Sequence, residues 1–88
     1  MKYKLTSQQI ASKVGEEFVI LNHNKGAYYG LDEVGAVVWN SLEAEPQTLE
    51  TLCEAVLGAY DIDKETCLED VEVLLNDLIS EKLVEVTQ

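Results

Sequence analysis

The chain has 88 residues, with 17 Asp and Glu against 6 Lys, no Arg, and a formal net charge of −11. Such a field opposes phosphate backbones, whose binding rests on cations neutralising charge, so nucleic acid is disfavoured as a ligand. The length predicts one domain over 1–88 with a modest core and no deep catalytic cleft, while 47% hydrophobic residues excludes disorder.

Residues 1–9 are polar and expected to be loosely held, with Tyr3 and Leu5 as anchors. They lack the continuous apolar segment of a secretory signal, and no apolar run approaches the ~20 residues that span a bilayer. A cytoplasmic protein is expected. Residues 10–14 read as a short edge strand, Gly15 and Glu16 as a turn, and EFVILN (17–22) as a strand from its β-branched and aromatic content. NHNKG (22–26) is dense in residues that tolerate left-handed backbone angles, as a hairpin requires. The returning strand is Ala27, Tyr28, Tyr29, Gly30 and Leu31.

From Asp32 the period changes. Asp32 reads as an N-cap, because its carboxylate can accept the orphan N–H groups of a first helical turn. Val34, Val38 and Leu42, with Gly35 and Trp39 on the next row, give a first helix over 33–43. Pro46 ends it. Thr48 caps a second helix over 48–60, with Leu49, Leu52, Cys53, Val56, Leu57 and Tyr60 on one face. Asp63 caps a third over 64–82, and a short extended tail follows at 83–86. On that third helix Cys67, Leu68, Val71, Leu74, Leu75, Leu78 and Ile79 span an arc of roughly 140°. Beside it runs an acidic stripe of Asp70, Asp77 and Glu81. The arc is either a broad core face beside a solvated stripe, or partly the wall of a groove with the acids as its rim. The fold class is therefore α+β, an N-terminal three-stranded antiparallel sheet followed by a three-helix bundle.

No catalytic constellation is present: there is no Gly-rich phosphate loop, no HExxH and no paired Cys/His arrangement. Cys53 and Cys67 belong to no CxxC, and the lone His23, in the hairpin turn, cannot complete a metal site with them. Both cysteines read as small buried hydrophobes, and Trp39 as core. Tyr28 and Tyr29 are neighbours on a strand and so point to opposite faces; which is outward is open. An exposed Tyr beside a sheet edge would suit a peptide contact. Gly30 permits close backbone approach or a bend. A basic peptide or protein suits the charge, although solubility is the plainer reason for it.

Three blocks in order, GAYYGLDEVGAVVW, TLETLCEAVLGAYDID and CLEDVEVLLNDLISEKLV, resemble the PqqD-like family across 14–86. These are RiPP recognition elements, the peptide-binding domains of ribosomally made natural-product pathways. YYGL-x-x-VG-x-x-VW is similar to the stand-alone members of lasso-peptide pathways. Two departures stand out: Asp32 occupies a position where Asn is expected, and Glu81-Lys82 precedes Leu83-Val84 where a Gly is expected.

The resemblance implies a winged-helix-like fold that does not bind DNA. It implies that a precursor's leader peptide adds as an antiparallel strand to Ala27, Tyr28, Tyr29, Gly30 and Leu31. Cys67, Val71, Leu74 and Leu78 would form the helical wall, with Asp70 and Asp77 available to basic leader residues. A free strand edge can satisfy an extended peptide in this way. The protein would be a non-enzymatic peptide chaperone without cofactor or metal. It would hand the precursor to a leader peptidase, with the pathway's cyclase as a further partner; the oligomeric state stays open. The rival reading is a winged-helix DNA-binding regulator, which calls for a basic recognition helix where this one is acidic. A carrier protein is the other rival, but no Ser sits at a helix N-terminus after Asp.

Overall fold

The computed structural model describes residues 1–6, 9–14, 17–22 and 26–87. Among them the order is β1 (Lys2–Leu5), β2 (Gln9–Val14), β3 (Glu17–Asn22), β4 (Ala27–Leu31), α1 (Glu33–Ala44), α2 (Leu49–Ala59), α3 (Lys64–Ser80) and β5 (Val84–Thr87). The expected turns at Gly15-Glu16 and His23-Asn24-Lys25 lie outside the described residues.

β2, β3 and β4 form one antiparallel sheet with β3 in the middle. The register pairs Ile20 with Tyr29, Leu21 with Tyr28 and Phe18 with Leu31. Directly opposed residues share a sheet face. Ile20 is fully buried, so Tyr29 and Leu31 turn inward with it, while Tyr28 and Gly30 turn outward. Exposure agrees: Tyr28 is 74% exposed and Leu31 8%.

Each helix starts on the residue whose side chain can serve it. Asp32 Oδ1 accepts from Gly35 N–H at 2.8 Å, and Asp63 Oδ2 accepts from Thr66 N–H at 3.3 Å. At α2 the arrangement is reciprocal. Thr48 Oγ1 accepts from Thr51 N–H at 3.2 Å, and Thr51 Oγ1 accepts from Thr48 N–H at 3.0 Å. Caps of this kind are each worth about 1 kcal/mol.

The core lies between the helices and the inner sheet face. Val38, Trp39 and Leu42 of α1 meet Leu52, Cys53 and Val56 of α2 and Cys67, Val71, Leu75 and Leu78 of α3. Cys67 Sγ–H donates to the Cys53 carbonyl at 3.8 Å, and both thiols are free and buried.

The N-terminal residues depart from expectation. Instead of being loosely held, Lys2–Leu5 is a strand paired antiparallel with Val84–Thr87. On its other side Tyr3 N–H donates to Gln47 O at 2.7 Å and Gln47 N–H donates to Tyr3 O at 3.0 Å. Tyr3 is buried in the core, and Lys4 Nζ lies 3.2 Å from Glu85 Oε1 across the pair. The partners lie at opposite ends of the sequence, so no local pattern announces them.

α3 passes into β5 through a closed turn. Lys82 N–H donates to Ile79 O at 3.0 Å and Leu83 N–H to Leu78 O at 2.9 Å. Those two bonds define a Schellman cap, with Leu78 and Leu83 buried as its apolar contact. Lys82 takes φ 61 at the left-handed position. The turn closes without a Gly, a lysine adopting the left-handed conformation. Thr6 Oγ1–H donates to Lys82 O at 2.9 Å and Thr6 N–H to Leu83 O at 3.0 Å, which ties the cap to the end of β1.

Candidate functional site

The site is built around the corner where β4 becomes α1. β4 ends the sheet, and its outer edge has no strand partner among the described residues. On an antiparallel edge, alternate residues turn their N–H and C=O groups away from the sheet, where an extended chain can pair with them. The corner is tight. Leu31 is buried beneath Gly35, and a Cβ at Gly35 would stand 3.0 Å from Leu31 Cδ2 and 3.2 Å from Leu31 Cβ. Asp32, one residue after the strand, is already the cap of α1.

Beside this corner lies an open pocket of about 270 Å³, lined by Asp32 and Val34 from the start of α1 and by Asp70, Val73 and Leu74 from α3. α3 therefore carries two faces. Cys67, Val71, Leu75 and Leu78 form one, which is fully buried. Residues 70, 73, 74, 77 and 81 form the other, centred roughly 100° around the helix at 100° per residue. Tyr29 approaches this second face from β4. Its hydroxyl pKa is raised, first by burial and then by the charges of Asp77, Glu81 and Asp32.

The residues expected at the site thus fall into three groups. Tyr28, Gly30, Asp70, Leu74 and Asp77 present surface on the edge strand or the outer face of α3, and Tyr29 is half-buried between them. Ala27 opens β4 opposite Asn22. Cys67, Val71 and Leu78, expected on the helical wall, have no exposed surface and lie in the core, where Leu31 is also buried. The broad apolar arc of the third helix combines the fully buried row of Cys67, Val71, Leu75 and Leu78 with the partly buried Leu68, Leu74 and Ile79. Three pocket residues were missed: Asp32, Val34 and Val73. Val73 carried a signal, since it is an isolated apolar residue inside the acidic row at i+3 from Asp70, and it is 61% exposed.

Among the described residues no group of three or more His, Cys, Asp or Glu is placed to hold a metal ion, and no helix is long and apolar enough to cross a membrane.

The family model for coenzyme PQQ synthesis protein D (PqqD) matches residues 17–84, from β3 through the start of β5. The chain belongs to the PqqD family. Among solved structures, TbiB1 in complex with the TbiA(beta) leader peptide is 28% identical, over 97% of this chain and 98% of that one, with a TM-score of 0.85. A lasso peptide synthetase B1 complexed with the leader peptide is 14% identical over 98% and 100%, with a TM-score of 0.82, a likeness of fold alone. A comparison with curated proteins gave no match. The PqqD match covers both halves of the site, the β4 edge and the α3 face; β1 lies outside it.

Proposed function

We propose that this PqqD-family chain is a RiPP recognition element of lasso-peptide biosynthesis, which binds a precursor's leader peptide by antiparallel strand addition to β4. The observation that carries this reading is that the outer edge of β4 has no strand partner among the described residues, while Tyr29 of that strand lies within the field of Asp77 and Glu81 on the outer face of α3. The added strand would take its backbone hydrogen bonds from Ala27, Tyr28, Tyr29, Gly30 and Leu31. Its inward side chains would rest on Leu74 and Val73 between Asp70 and Asp77. Backbone pairing supplies generic affinity and the α3 face supplies selectivity. A leader-bound relative at 28% identity supports the same ligand class.

The sheet and three helices are read as winged-helix-like, with the acidic α3 face taking a peptide rather than duplex DNA. The chain performs no chemistry and delivers the bound precursor to a leader peptidase and the cyclase. The whole chain acts as one domain.

Strand addition has a direct chemical test. A fluorescently labelled leader peptide of a precursor encoded beside this chain is compared with copies carrying a single backbone N-methyl group. Methylation at alternate positions of the paired segment should weaken binding at least tenfold, because each removes one edge hydrogen bond and adds a clash, while the intervening positions change little. Equal tolerance at every position would refute pairing through the edge.

A further inference from the structure

The pocket at the β4–α1 corner combines two kinds of lining. Val34, Val73 and Leu74 give it apolar walls, while Asp32 and Asp70 bring carboxylates to the same space. No cation of this chain lines it among the described residues. Asp32 Oδ1 is engaged with Gly35 N–H at 2.8 Å, but a carboxylate has about four acceptor sites, so capping leaves most of its capacity unused. Asp32 also belongs, with Asp77 and Glu81, to the carboxylates whose field raises the Tyr29 hydroxyl. At about 270 Å³ the space lies just under the roughly 300–1,000 Å³ of small-molecule pockets, and it suits one long side chain.

We infer that this pocket is a specificity subsite for one Lys or Arg side chain of the bound peptide, its aliphatic stem on Val34, Val73 and Leu74 and its charged head between Asp32 and Asp70. The inference rests on strand addition at β4. An acidic side chain would meet like charges, and a purely aliphatic one would cover the walls but strip water from two carboxylates without pairing them. A cation on an aliphatic stem answers both surfaces at once, since such stems lie along apolar ground while the head stays at the rim. Direction follows as well. The pocket lies just past Leu31, at the C-terminal end of β4, and an antiparallel partner passes that end with its N-terminal residues. The cation therefore stands at the N-terminal end of the paired segment. Asp32 has two tasks, cap and specificity residue, and Asn would keep only the first.

The test uses the full chain and a panel of leader peptides differing at one position at a time across that N-terminal end, each carrying Lys, Arg, norleucine or Glu. At one position the wild-type chain should bind Lys and Arg about fivefold tighter than norleucine at low salt, the size expected of one or two exposed charge pairs. The preference should shrink as salt rises. In the Asp32→Asn/Asp70→Asn variant, Lys and norleucine peptides should bind alike, because the Lys peptide loses its carboxylate partners and the norleucine peptide no longer strips water from charged groups. Equal binding of Lys and norleucine to the wild type at every position overturns the subsite. So does a preference that survives in the double variant, or one at the C-terminal end only. If no peptide of the panel binds, strand addition itself fails and takes the subsite with it.

Discussion

Gly35 lies directly over Leu31, close enough that a Cβ at 35 would meet the leucine side chain at 3.0 Å. The contact joins the last residue of β4 to the first turn of α1, and so fixes the angle at which the edge strand meets the pocket. Neither partner can yield cheaply, because Leu31 is itself held in the core. Gly35→Ala should therefore destabilise the fold by up to about 2 kcal/mol, the usual overpacking cost of about 1–3 kcal/mol less a gain of roughly 1 kcal/mol in helix propensity. Gly58 is the control. It is exposed within α2 with nothing within 4 Å of its virtual Cβ, so Gly58→Ala should stabilise by about 0.5–1 kcal/mol. Urea unfolding of the two variants should move the midpoint in opposite directions.

Lys82 occupies a left-handed conformation, φ 61, at the cap between α3 and β5. A side chain in that region costs about 1–2 kcal/mol that glycine does not incur. Lys82→Gly should raise stability by about 1 kcal/mol, part of the relief being lost to the greater freedom of glycine in the unfolded chain. Lys82→Ala, which keeps the strain, should change stability little. Thermal unfolding separates the two.

The caps on Asp32, Thr48 and Asp63 were legible because each depends on a few adjacent residues, and all three accept the expected backbone N–H. The apolar rows of α1 and α2 were legible for the same reason: their periodicity is local. Strand alternation placed Tyr28 and Tyr29 on opposite faces, but its phase was set elsewhere, by the pairing of Tyr29 with the buried Ile20. α3 failed differently. A core row and Leu74 of the outer row lie side by side on one helix, and periodicity reports apolar character without saying what covers it. β1 was illegible because its partner β5 lies at the other end of the chain.

Tyr28 and Leu74 separate folding from binding. Tyr28 is 74% exposed on the outer face, so Tyr28→Ser should leave the unfolding midpoint within about 0.5 kcal/mol of wild type. Leu74 is half-buried on the outer face of α3, where it lines the open pocket. Leu74→Asp should retain the far-UV dichroism of the wild type while leader binding falls at least tenfold. Unfolding of that variant would instead assign Leu74 to the core.

Alkaline pH should destabilise the protein through Cys53. Burial, first, and then the neighbouring Cys67 thiol push its pKa from 9.0 up to about 12. The folded state holds the proton that the unfolded state has released. The contribution is thus intact below pH 9 and is lost progressively between about 9 and 12. Tyr29, also raised from its ordinary 10.0, adds in the same direction at higher pH. Denaturant midpoints should be flat from pH 7 to 8.5 and fall beyond 9, with a shallower fall in Cys53→Ala. Both native thiols should stay inert to alkylation at pH 8 until denaturant is added.

The central claim is that a leader peptide pairs with β4 beside the outer face of α3, and a backbone amide NMR titration with such a peptide tests it most directly. The account predicts shifts concentrated at Ala27, Tyr28, Tyr29, Gly30 and Leu31 and along α3 at Asp70, Val73, Leu74 and Asp77. New protection from hydrogen exchange should appear at alternate β4 amides. Shifts confined to the β2 edge or to β1 and β5, or clear shifts with duplex DNA and none with the peptide, would contradict it.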